Sequence, residues 1–139
     1  MDPLEYLRQL GGIARTGQLL AAGFSRTDVA RLTGSAGIRQ PRRGVLALPE
    51  CRPEFEAALR HNARVTCASA AGQYGLWLRT PPARHHLACN HGHGGGFVRH
   101  RTVRFDGHPT LPVAAVEDVV LHALACLAPP ASTAIATSA

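Results

Sequence analysis

The chain is 139 residues long, enough for one domain or a small domain with an appendage, and too short for a large multi-domain body. Its 15 basic residues are all Arg, which excludes chemistry built on a lysine amine, such as a P-loop, a Schiff base or a Ser-Lys dyad. Set against 9 acidic residues, they leave a formal charge of +6 with His neutral, an excess that suits a polyanionic partner.

The apolar share of 45% is that of an ordinary globular chain. Cys51, Cys67, Cys89 and Cys126 lie far apart with no C-x-x-C, and Asp2 and Glu5 stand where a leader would need apolar residues. Both features predict reduced thiols and a cytoplasmic location. The longest uncharged stretch, Val119 to Ala139, is interrupted by His122, Pro129 and Pro130, so no membrane span is expected.

Leu4, Leu7 and Leu10 recur at helical spacing, with Asp2 as a candidate N-cap, Pro3 at the first helical position and Gly11-Gly12 as the stop. A second segment, Thr16 to Ala22, has Leu19 and Leu20 on an apolar face and ends at Gly23. Ser25 and Asp28 then form a capping-box pair, which predicts a helix from Arg26 to about Thr33 with Val29 and Leu32 inward. Its outward face carries Arg26, Thr27, Ala30 and Arg31, a mixture suited to a major groove. Two short helices joined by a Gly-containing turn predict a helix-turn-helix.

Ile38 to Leu48 reads as two extended runs around the basic turn Arg42-Arg43-Gly44, as in a winged-helix hairpin, with Pro41 removing one N–H donor. Guanidinium groups at a wing tip can reach phosphates or a minor groove. Residues 1–48 hold seven Arg and three acids, against eight and six in 49–139, so the charge is concentrated where the motif lies.

The run Gly12-Ile13-Ala14-Arg15-Thr16 through Leu19-Leu20-Ala21-Ala22-Gly23-Phe24-Ser25, then Val29-Ala30-Arg31-Leu32 and Arg42-Arg43-Gly44-Val45-Leu46-Ala47-Leu48-Pro49, resembles the N-terminal domain of the AbiEi antitoxin family. Looser support comes from Ser69-Ala70-Ala71, Gly75-Leu76-Trp77 and Val116-Glu117-Asp118-Val119. The resemblance implies a winged helix that binds promoter repeats and represses its own operon, and a remainder that helps to neutralise a nucleotidyltransferase-like toxin. It places Arg26, Thr27 and Arg31 on the recognition helix and Arg42 and Arg43 on the wing. With Arg15, Ser25 and Arg39 these make up the expected DNA-binding set. Some related chains continue into a restriction-endonuclease-like domain, but this chain has no Lys and so no acid-x-Lys motif.

Further along, Pro53 to His61 reads as a helix, Val65-Thr66-Cys67 as a strand, and Ser69 to Tyr74 as a short helix closed by Gly75. Leu76, Trp77 and Leu78 read as core, a lone Trp in an apolar cluster being more often packing than a partner anchor. Leu87–Cys89 and Thr102–Phe105 read as strands bracketing the turn Gly92–Gly96, and Val116–Leu127 as a helix covering this sheet. The tail after Leu127 has little apolar bulk and is expected to be disordered. The fold class expected is α+β: a winged helix-turn-helix over residues 1–49, a small α/β subdomain over 50–127 and a tail over 128–139.

His85, His86, Cys89, His91 and His93 offer five candidate zinc ligands within nine positions, although their spacing matches no established finger. The competing reading is a solvated loop whose His charge adds to the basic field at lower pH. Cys67 near Ser69, or Cys89 near His91, lacks an orienting acid, so no catalytic dyad is expected. Glu117 and Asp118 read as helix N-terminal charge.

The function these features favour is a non-enzymatic, sequence-selective regulator of double-stranded DNA that needs no cofactor, works as a possible homodimer and has a possible toxin partner. The alternatives are a toxin-binding body with little DNA binding, a remnant of a larger DNA-binding or nuclease-like protein, and a metal-dependent activity at the His/Cys loop.

Overall fold

The computed structural model describes residues 1–90, 95–101 and 103–139, and divides into two compact units, Met1–Arg60 and His61–Ala139. The chain is mixed α+β, with a three-stranded sheet in each unit. Among the described residues no helix is long and apolar enough to cross a membrane.

In the first unit the order is α1 (Pro3–Gln9), β1 (Ile13–Arg15), α2 (Thr16–Ala21), α3 (Arg26–Thr33), β2 (Arg39–Arg42), β3 (Val45–Ala47) and α4 (Pro53–Arg60). The antiparallel sheet runs β1-β3-β2. Asp2 holds the N-cap position of α1 without a side-chain hydrogen bond, and Pro3 supplies the helical φ. The short strand β1 escapes periodicity because it has three residues; its pairing with β3 identifies it.

Leu7, Leu10, Leu19, Val29, Leu32, Leu46 and Leu48 close the core of this unit, with Tyr6 and Phe24 in tilted ring contact at 5.5 Å beside it. Gly12 takes φ +83°, and a Cβ there would sit 3.1 Å from the Cα of Cys51, so any other residue would be strained at this turn. Pro41 lies on edge strand β2, where Arg39 pairs with Ala47 and Arg42 with Val45. Three steps along β2 thus face two along β3, and this bulge accommodates the missing donor. Helix α4 belongs with this unit, which ends at Arg60 rather than near residue 49.

The second unit contains β4 (Arg64–Val65), a 3-10 helix (Cys67–Tyr74), β5 (His85–Ala88), β6 (Phe97–His100), α5 (Val116–Cys126) and α6 (Ala131–Ser138). β4 and β5 are antiparallel, whereas β5 and β6 are parallel. Gly75 ends the 3-10 helix at φ 65°. The second strand of the expected pair is Phe97–His100; of the expected Thr102–Phe105, Thr102 lies outside the described residues and 103–105 form no strand. Phe97 is buried beside β5, while the amides of Arg104 and Phe105 are taken by the Asp118 carboxylate at 3.0–3.1 Å.

Trp77 and the C-terminal tail also depart from expectation. Trp77 is 63% exposed, since only Leu76 of that triplet is buried. The tail is not disordered: it forms α6, which packs on α5 through Ser132 and the fully buried Ile135. Ile135 is the one large apolar side chain of this Ala-rich helix, and Ser138 Oγ adds a tie by accepting from the Trp77 amide at 2.8 Å. Ile135→Ala is therefore expected to cost about 3 kcal/mol of unfolding free energy by denaturant titration, and a cost near zero would mean that α6 does not dock in solution.

Candidate nucleic-acid interface

Helix α3 starts where its capping chemistry dictates. The Ser25 Oγ accepts from the Asp28 amide at 3.0 Å, and the Ser25 amide donates to Asp28 Oδ2 at 2.9 Å. The bond from the Ser25 amide holds the Asp28 carboxyl below its usual range, with the Ser25 hydroxyl and Arg31 assisting. Val29 and Leu32 point into the core, which leaves Arg26, Thr27, Ala30 and Arg31 exposed together. Arg31 lies 3.9 Å from Asp28 with its side chain 76% exposed, a contact too solvated to immobilise it. Ser25, expected among the DNA contacts, has its oxygen engaged by the cap.

The β2–β3 turn carries Arg42 and Arg43, both exposed, and Gly44 at φ 78° closes it. The carbonyl of Gly44 accepts from the Thr16 amide at 2.9 Å, which fastens the turn to the first residue of α2, and α2 packs on α3. Arg42 reaches the Arg60 carbonyl at 3.5 Å, a long contact that fixes it weakly. Arg26, Arg42 and Arg43 carry no ion pair among the described residues. Arg15 is half-buried at the junction of β1 and α2, where its amide donates to Gln18 Oε1 at 2.9 Å, so it is a structural residue as much as a surface cation.

Arg39 departs from expectation. Its Nη2 donates to Glu56 Oε1 at 2.6 Å, and Glu56 also receives Arg60 at 3.3 Å. The Arg39 bond pulls the Glu56 carboxyl below its usual range against a smaller opposing effect of burial. Arg39 thereby joins β2 to α4, a role that sequence spacing could not reveal because the partner lies 17 residues away.

Among the described members of the candidate zinc set, His86 faces away from both His85 and Cys89. His85 and His86 are consecutive on β5 and alternate across the sheet, and Cys89 lies just beyond the strand on the side opposite to His86. His91 and His93 lie outside the described residues. His86 instead meets His100, with Nδ1 and Nε2 3.1 Å apart, and Cys126 Sγ at 3.9 Å. Burial pushes the His100 imidazole down to about 4, with His122 and His86 adding to the effect, and pushes the nearby Cys67 thiol up to about 12.

In class terms, the exposed groups of the first unit form a cationic helix face and a cationic hairpin tip on a small scaffold. The chain matches no protein-family model and no curated protein.

The Arg39–Glu56 pair makes a pH prediction. A depressed folded pKa stabilises above the unfolded value, near pH 4.3 for Glu, and this stability is lost as pH falls through the folded value. Glu56→Gln should lower the melting temperature at neutral pH, and the gap from wild type should close as the acid is titrated below about pH 4. A gap that stays constant down to the acid transition would show that the lost contribution is not ionic.

Proposed function

We propose that the chain is a non-enzymatic, sequence-selective regulator of double-stranded DNA, antitoxin-like in type, acting in the cytoplasm on repeats in its own promoter. In this reading the first unit is a winged helix-turn-helix, with α3 as recognition helix and the β2–β3 hairpin as wing. The observation that carries it is the exposed set Arg26, Thr27, Ala30 and Arg31 on a capped helix, accompanied by Arg42 and Arg43 at a turn tied to α2. The guanidinium groups would contact phosphates and supply affinity, and Arg26, Thr27 and Arg31 would meet base edges and supply selectivity. The resemblance of this stretch to AbiEi N-terminal domains supports the same reading. A pair of chains on a two-fold repeat would be the natural bound state.

A second reading, a toxin-binding body, draws on the second unit. Trp77 is 63% exposed, and Leu121 and Leu124, three residues apart on α5, are also exposed. Exposed aromatic and aliphatic side chains of this kind are typical anchors of protein interfaces.

The test is binding of the purified chain to its upstream DNA and to scrambled DNA across a salt series. With Arg39 held by Glu56, about four Arg remain to neutralise phosphates, which predicts a log–log salt slope of roughly −3 to −4. Arg42→Ala or Arg43→Ala should reduce the slope by about one, whereas Arg31→Ala should weaken upstream binding selectively. Arg39→Ala should leave the slope unchanged and lower stability. Equal or absent binding to both DNAs would overturn the regulator reading, and loss of toxin neutralisation in Trp77→Ala would then favour the second.

A further inference from the structure

We propose that the second unit holds a structural zinc site formed by Cys67, His86, His100 and Cys126. The inference is independent of DNA binding, since every ligand lies in His61–Ala139. Each comes from a different element: Cys67 opens the 3-10 helix, His86 lies on β5, His100 ends β6 and Cys126 ends α5. Their four ligand atoms all lie within 4.8 Å of one another. Tetrahedral zinc with Zn–S near 2.3 Å and Zn–N near 2.0 Å separates its ligands by about 3.3 to 3.8 Å. The separations of 3.1 Å between His86 Nδ1 and His100 Nε2, and of 3.9 Å between His86 Nδ1 and Cys126 Sγ, bracket that range.

The surroundings are those of a built site. Cys67 and His86 are buried, and Cys126 leaves one exposed corner through which an ion can enter. His86 and His100 share one face of the parallel pair, because His86 lies opposite Val98 and His100 opposite Ala88. Cys67 has φ +54°, a left-handed conformation uncommon for a residue with a side chain and characteristic of positions held for a function. His122 stacks on His100 at 4.8 Å between centroids, and its Nδ1 lies 2.6 Å from the Thr66 hydroxyl, which fixes the ring behind the ligand.

Two sulfurs and two imidazoles select a borderline ion of tetrahedral preference, hence Zn²⁺ over Mg²⁺ or Ca²⁺. Binding releases the two thiol protons, and the resulting centre, one Zn²⁺ with two thiolates and two neutral imidazoles, has no net charge. All four positions are protein ligands, so none remains open for catalysis, and the ion would cross-link the 3-10 helix, the sheet and α5.

The experiment uses the full chain without an affinity tag, purified in reductant. Metal analysis should give about one zinc per chain, retained in a Cys51→Ser/Cys89→Ser variant. Cys126→Ser, chosen because the residue is exposed, should weaken zinc binding by more than about a hundredfold. Replacement by Co²⁺ in the wild-type chain should give the intense visible bands of a tetrahedral site and thiolate charge transfer, a measurement that does not depend on any variant folding. Wild-type chain that binds neither ion in reductant, a cobalt spectrum without thiolate charge transfer, equal affinity in Cys126→Ser, or a Cys67–Cys126 disulfide in place of metal would each overturn the site.

Discussion

Each half of this chain must close a core around a three-stranded sheet with only 60 to 79 residues, a size at which apolar burial leaves a small margin over conformational entropy. Polar groups that tie distant backbone together therefore carry unusual weight. Asp118 is fully buried on α5, and its two oxygens accept from the amides of Arg104 and Phe105. A carboxylate in that position is tolerable only because those donors replace water, and in return it fastens the segment after β6 to the helix that covers the sheet. Thr66 and His122 repeat the device between the end of β4 and α5, at 2.6 Å with both side chains buried. In the first unit the corresponding tie is Arg39 with Glu56, 17 residues apart.

These ties sort the arginines. A count of formal charge treats all seven Arg before residue 49 alike, whereas the fold assigns them different tasks. Arg8 pairs with Glu5 at 3.6 Å along α1, Arg39 is held by Glu56, and Arg15 sits half-buried at a strand-to-helix junction. The cations left with solvent as their main company are Arg26, Arg42 and Arg43, together with Arg31 in its loose contact with Asp28. Four of the seven arginines before residue 49 are thus left free to meet a polyanion, concentrated on one helix and one turn.

Local chemistry was legible in the sequence wherever one residue acts on a neighbour a few positions away. The capping pair set the start of α3, Gly75 the end of the 3-10 helix, and Gly44 the hairpin turn. What needed a distant partner was not legible. β1 is three residues long and exists through β3; the edge of the second sheet is Phe97–His100 because those residues pair with β5, although Val103 and Phe105 alternate just as well. Ile135 looked isolated in an Ala, Ser and Thr tail until α5 supplied the surface for it, and Trp77 looked like core because its neighbour Leu76 is.

The metal ligands show the same boundary at its sharpest. A search for zinc by spacing favours donors crowded into a short stretch, and residues 85–93 are the richest stretch in the chain. Strand alternation works against that choice, since consecutive donors on β5 face opposite sides of the sheet. The donors that do converge are separated by 19, 14 and 26 positions, distances that follow from the numbering of Cys67, His86, His100 and Cys126. Only the pairing of β5 with β6 and the packing of α5 on the 3-10 helix bring them within reach of one ion. A cluster assembled this way requires the whole unit to be folded, so metal affinity and folding free energy in this unit are two views of one quantity.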